Sequence, residues 1–93
     1  MTLVQLETML AERLGMAPED ASRAVRGALT LVAERLAAGE AVKLAGFGRF
    51  ETRERPARRS KDPRDGRNLD VPARRRPVFK ASRLLVARIE GVD

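Results

Sequence analysis

The stretch Ala41-Val42-Lys43-Leu44-Ala45-Gly46-Phe47-Gly48-Arg49-Phe50 decides the fold, because the period of the chain changes there. Apolar and polar residues alternate from Ala41 to Ala45 as in a half-buried strand, and Gly46-Phe47-Gly48 turns it into a second strand beginning Arg49-Phe50. That strand runs outward to Asp62-Pro63-Arg64-Asp65-Gly66, where proline pre-sets φ and glycine accepts a positive φ, so the chain turns. A return strand, from about Arg67 through Val71 to Phe79, completes a long hairpin.

Before this stretch the period is helical. Thr2 and Gln5 form a capping box, Leu3, Leu6, Leu10 and Leu14 recur at helical spacing, and Gly15 stops the first helix. Pro18, Glu19 and Asp20 open a second helix with an apolar stripe through Ala21, Val25, Ala28, Leu29, Val32 and Leu36, ended by Gly39. A last helix, roughly Ser82 to Glu90, is expected to bury Leu85 and Ile89. The fold class is therefore α+β: two N-terminal helices, a three-stranded antiparallel sheet with a protruding β-hairpin arm, and a short C-terminal helix.

Charge separates the arm from the rest. Arg53 to Arg76 holds ten basic residues (Arg53, Arg55, Arg58, Arg59, Lys61, Arg64, Arg67, Arg74, Arg75 and Arg76) against four acids (Glu54, Asp62, Asp65 and Asp70). Its net charge of +6 equals that of all 93 residues, since the nine basic and nine acidic residues elsewhere cancel. A neutral body with one basic projection is suited to docking on nucleic acid. Arg53, Arg55, Arg59 and Lys61 fall on alternate positions and make one basic row if the pleat stays regular, although Pro56 can interrupt the ladder. At about 3.3 Å per residue, such a ribbon projects roughly 30 Å and fits a DNA groove. Three adjacent arginines at its base, Arg74-Arg75-Arg76, cannot all face one way, so at least one is expected on phosphate.

The arm has no aromatic residue, and the chain has no tyrosine or tryptophan. Readers of single strands stack bases on aromatic rings, so duplex contacts are favoured. The three phenylalanines, Phe47, Phe50 and Phe79, lie at the hairpin's root and read as core, together with Val32, Leu29, Leu36 and Leu44. Without histidine or cysteine there is no Ser-His or Cys-His pair and no thiolate metal site; no cofactor, metal or small-molecule substrate is expected, and the chain reads as a non-enzyme. The scattered acids Glu7, Glu12, Glu34 and Glu40 read as solvated helix faces, as do Arg13, Arg23, Arg26 and Arg35. One domain is expected over residues 1–93, with a body at 1–52 and 77–93 and an arm at 53–76. A body this small has a marginal core as a monomer, so a dimer is expected. No secretory or membrane-spanning stretch is read, which makes the cytoplasm the default and gives no membrane partner.

The chain resembles the HU/IHF family of bacterial nucleoid-associated, DNA-bending proteins. The resemblance rests on Gly46-Phe47-Gly48-Arg49-Phe50, on Arg53-Glu54-Arg55 with Ala57-Arg58, and on Val71-Pro72-Ala73 with Pro77-Val78-Phe79-Lys80, besides the order of elements. It implies an intertwined dimer, of identical chains or with a paralogue, whose arms wrap double-stranded DNA through the minor groove, as in the family's architectural members. It makes Pro63 the tip wedge that kinks DNA; by its own chemistry Pro63 is a turn proline. It offers the amides at Gly46 and Gly48 to phosphate, where a bare tight turn also accounts for both glycines. It sets Lys80 and Arg83 against the DNA flank, where solvated surface charge is the other reading.

The family's tip reads Arg-Asn-Pro, one residue, then Thr-Gly, whereas this chain has Lys61-Asp62-Pro63-Arg64-Asp65-Gly66. Two carboxylates flank the wedge and should repel phosphate, so the arm is expected to grip DNA but bend it less than the family norm. Asp62→Asn with Asp65→Thr restores the family's tip and should increase bending. The implied function is a sequence-tolerant architectural protein of the bacterial nucleoid. An IHF-like, site-preferring bending factor, a duplex-RNA or ribosome-associated protein, and a module capturing an acidic protein are the alternatives.

Overall fold

In a computed structural model we describe residues 1–91; positions 92 and 93, the end of the expected body, lie outside the described residues. Helix α1 (Leu3–Leu14) opens on its capping box: Gln5 N donates to Thr2 Oγ1 (3.2 Å) and Thr2 N donates to Gln5 Oε1 (2.8 Å). Helix α2 (Pro18–Ala37) has Pro18 at its first position, where a missing N–H costs nothing. It ends in a Schellman arrangement, with Glu40 N donating to Arg35 O (2.9 Å) and Gly39 N to Leu36 O (3.0 Å).

Five strand segments follow: β1 (Val42–Leu44), β2 (Gly48–Arg55), β3 (Arg58–Lys61), β4 (Asn68–Val71) and β5 (Arg74–Ala81). The antiparallel sheet is ordered β1-β2-β5, and β3 and β4 pair separately as the outer arm. Helix α3 (Arg83–Glu90) completes the described chain, its amide at Leu85 donating to Ser82 Oγ (3.1 Å).

The two hairpin strands are each interrupted rather than continuous. Pro56-Ala57 separates β2 from β3, and Pro72-Ala73 separates β4 from β5, because proline supplies no N–H to the ladder. The register does not slip. Arg55 faces Arg74 before the break and Arg58 faces Val71 after it, so each strand skips two residues.

The arm makes the protomer long. Its radius of gyration is 19.3 Å, against about 12 Å for a compact chain of this length, and its greatest extent is 60 Å. Its core is thin. Ala11 and Ala21 are the buried apolar residues among those described, and Leu29, Leu44, Phe47 and Phe79 remain 40–53% exposed. Val32, Leu36 and Phe50 are half-buried. The expectation that α3 buries Ile89 is corrected: Ile89 is 76% exposed and only Leu85 is half-buried, since one protomer offers α3 too little surface to cover it.

Candidate nucleic-acid interface

Cross-strand partners lie on the same face of an antiparallel ribbon. The pairs Arg49–Lys80, Glu51–Val78, Arg53–Arg76 and Arg55–Arg74 therefore share one face of the inner arm and its root. The pairs Gly48–Ala81, Phe50–Phe79, Thr52–Pro77 and Glu54–Arg75 share the other. Because the register passes the proline break intact, Arg59 with Asp70 and Lys61 with Asn68 continue the first face outward. The predicted row Arg53, Arg55, Arg59, Lys61 thus gains Arg74 and Arg76 from the return strand. Arg58 lies on the second face, opposite Val71.

At the root, Glu51 holds two cations. Lys80 Nζ lies 3.1 Å from one carboxylate oxygen and Arg49 Nε 3.5 Å from the other. The hydrogen bond from Lys80 holds the Glu51 carboxyl below its ordinary value. Arg49 was not among the predicted site residues; its alternation with Arg53 and Arg55 was the signal that could have found it. Arg83 is the first residue of α3, where its charge adds to the positive end of the helix dipole.

The two junction glycines differ. Gly46 is exposed, with φ +76°, at the third position of the turn that Phe47 N closes on Leu44 O (3.0 Å). Gly48 is buried beneath β5: a Cβ there would stand 2.6 Å from Lys80 O and 2.7 Å from the Phe79 ring. Close packing alone therefore requires glycine at position 48. Phe79 also stacks tilted against Phe47 (5.5 Å) and Phe50 (4.8 Å), which fixes the root of the arm.

Arg74-Arg75-Arg76 splits as strand geometry demands. Arg74 and Arg76 join the basic face, while Arg75 reaches back and its Nη2 donates to Ala37 O at the end of α2 (2.8 Å). At the proline break a cleft of about 220 Å³ opens among Pro56, Val71, Pro72 and the stems of Arg55, Arg58, Arg74 and Arg76.

At the tip, Asp62 N donates to Arg67 O (2.7 Å), and Gly66 N, with φ +73°, donates to Asp62 O (2.9 Å). Pro63 is exposed between them. The two flanking carboxylates are turned inward: Arg64 N donates to Asp62 Oδ1 (2.8 Å) and Arg67 N to Asp65 Oδ1 (2.9 Å). Asp65 also pairs with its neighbour Arg67 (3.5 Å). The acids that sequence reads as repulsive flanks thus also build the turn. Arg59 pairs with Asp70 at 3.2 Å, with both side chains largely exposed, a contact worth under about 1 kcal/mol and readily exchanged. Among the described residues of the arm, Arg53, Arg55, Arg58, Lys61, Arg64, Arg74 and Arg76 have no carboxylate within salt-bridge distance.

One residue read as solvated helix surface is not, and an exposed arginine, Arg26, reaches it. Glu7 is 6% exposed between α1 and α2, accepting from Ser22 Oγ and Arg26 Nε, both at 2.7 Å. The Arg26 bond, reinforced by Ser22, holds the Glu7 carboxyl below its ordinary value. The partners are 15 and 19 residues away in sequence, so helix crossing and not local spacing brings them together.

Known proteins share this sequence pattern and this fold. The family described as bacterial DNA-binding protein matches residues 1–90. DNA-binding protein HU-1 of Halalkalibacterium halodurans is 41% identical over 85 residues, 91% of this chain and 94% of that protein. DNA-binding protein HU of Geobacillus stearothermophilus is 38% identical over the same shares. Among solved structures, an Anabaena HU–DNA cocrystal structure superposes with a TM-score of 0.84 at 32% identity, covering 96% of this chain and 97% of that one. A Thermotoga maritima HU variant gives 0.72 at 25% identity, covering 96% and 99%.

Proposed function

The chain belongs to the HU/IHF family of bacterial DNA-binding proteins, and we propose that it is a sequence-tolerant architectural protein that grips and bends double-stranded DNA with paired arms. The observation that carries this reading is the one-sided ribbon: Arg53, Arg55, Arg59, Lys61, Arg74 and Arg76 share a face. Such a face follows a phosphate backbone without reading bases, and its affinity comes from released counterions. Arg58, Arg64 and Arg67 add charge towards the tip, and Lys80 and Arg83 add it at the root. Gly46, exposed at the turn, is the junction glycine whose amide is free to meet phosphate. Pro63 is the wedge, and the inward bonds of Asp62 and Asp65 reduce the repulsion that sequence alone assigns to them.

The working unit is a dimer of identical chains. Of the described residues, 1–52 and 77–91 form its body, and 53–76 form its arm. Leu29, Leu44, Phe47 and Phe79, exposed in the protomer, meet a second copy there, together with Val32, Leu36 and Phe50. Its place is the nucleoid in the cytoplasm. The family is one of DNA-binding proteins rather than enzymes, and the chain has neither a catalytic role nor a cofactor in this reading.

Competition among matched duplexes tests the assignment. Random-sequence DNA should compete as well as any defined DNA site, and an RNA duplex of the same sequence should compete poorly, because the arm fits the DNA minor groove. Strong preference for one DNA sequence would favour a site-preferring bending factor. Equal or better competition by RNA would overturn the DNA assignment.

A further inference from the structure

Arg75 is set apart from the arm cations around it. It lies on the helical face of β5, opposite Glu54, whereas Arg74 and Arg76 on either side lie on the basic face. Its guanidinium donates to the carbonyl of Ala37, 38 residues away, at 2.8 Å. Ala37 is the last residue of α2, where unpaired carbonyls carry the negative end of the helix dipole, so a cation is favoured there. The guanidinium lies against the helix terminus: a Cβ built on Gly39, which takes φ +84° just past the end of α2, would stand 3.9 Å from Arg75 Nη1, an ordinary contact.

This contact occurs just before the arm loses its ladder. Arg75 is one residue inside the last inner pair, Arg55–Arg74, and beyond it Pro56-Ala57 and Pro72-Ala73 carry no ladder pair. The inner arm is therefore tied to the helical body at its outermost turn of sheet, and the outer arm, β3 with β4, hangs from that tie through the proline break.

We propose that Arg75 is a positioning residue for DNA bending: by bonding Ala37 O it fixes the direction in which the arm leaves the body, and it makes no phosphate contact. The proposal rests on the DNA-gripping reading of the arm and assigns one of its ten cations a different task. A ribbon anchored only by β2–β5 pairing can still meet phosphate, but two arms with undefined take-off directions do not hold a duplex in a single bent shape.

The test compares Arg75→Ala, Arg75→Lys, Arg74→Ala and Arg76→Ala with the parent on one doubly end-labelled duplex, titrated at several salt concentrations. Each phosphate contact contributes about 0.9 to the slope of log affinity against log salt, so losing one per protomer lowers the slope of a dimer by about 1.8. Arg74→Ala and Arg76→Ala should show that loss. Arg75→Ala should keep the parent's slope, yet at saturation give less end-to-end shortening and a broader distribution of energy transfer. Arg75→Lys, which keeps a donor and a charge, should recover part of the bend. Circular dichroism of each variant shows that the body is folded before binding is read.

A slope loss in Arg75→Ala equal to that of Arg76→Ala would overturn the proposal, because Arg75 would then be a phosphate ligand. So would an unchanged saturated bend. A parent that fails to bind at low salt would instead overturn the DNA reading itself, before any variant is compared.

Discussion

Glu7 and Asp70 each have an arginine within 3.2 Å, yet the two pairs do different things. Glu7 lies between α1 and α2 with 7% of its side chain exposed, and a serine hydroxyl completes its partners. Asp70 lies on the outer arm with 85% of its side chain exposed, and Arg59 is its one ion-pair partner among the described residues. At Glu7 a charge is enclosed, and it ties α1 to α2. In the arm, charge stays in water, paired loosely or not at all, so that exchanging a carboxylate for a phosphate costs little. The same residue types thus build a scaffold in one region and a docking surface in the other, and burial decides which.

The largest expected effect falls on the arm. Replacing Arg53, Arg55, Arg74 and Arg76 by alanine removes four cations per protomer from the basic face and none from the body. If all four meet phosphate in both arms, the salt slope falls by about 7, and DNA affinity at moderate salt drops by orders of magnitude. The thermal midpoint should barely move. A large loss of stability with little change in DNA binding would erase the distinction between arm and body.

Phe79→Ala strikes the root, where the two regions join. It removes the ring that contacts both Phe47 and Phe50, and should destabilise the protein by on the order of 3 kcal/mol, read from urea unfolding. In the protomer Phe79 is 41% exposed, so a loss of that size also reports cover supplied by a second copy. Protein-concentration dependence of the midpoint should accompany it.

Glu7→Gln sharpens the body's side of the comparison. The Glu7 carboxyl is held below its ordinary value in the folded chain, so its contribution to stability is fully present above about pH 4.3 and is lost as pH falls through the lowered value. The parent's thermal midpoint should therefore decline more steeply than the variant's on acidification below that point, while at pH 7 the variant should melt lower. Asp70→Asn, with its exposed partner, should change neither profile.

The smallest effect belongs to the tip. Asp62→Asn with Asp65→Asn removes both charges but leaves an oxygen to accept from Arg64 N and Arg67 N. A few-fold gain in DNA affinity with the same turn is expected. Alanine at both positions should lose the turn's order, and with it some of the bend, although the charges are equally gone.

Local devices were legible in the sequence because their chemistry is local. The Thr2–Gln5 box, the Pro18 start and the Asp62–Gly66 turn each join residues within five positions, and each is found where spacing sets it. The basic row was legible because a strand has a fixed period of two. Its doubling by Arg74 and Arg76 needed the register, which no single strand contains. Arg26 on Glu7 and Arg75 on Ala37 were not legible, since helix crossing and sheet-to-helix contact join residues 19 and 38 positions apart. The exposure of Ile89 could not be read either, because helical period marks an apolar face but not what covers it.

The most direct test of the account is end-to-end energy transfer on a doubly labelled duplex titrated with the protein at roughly 50 and 200 mM salt. Binding that weakens steeply with salt, with marked shortening of the duplex at saturation, is the predicted result: arms that grip phosphate and bend DNA around a dimeric body. Binding without shortening would contradict the bending claim and leave a protein that coats DNA with its arms.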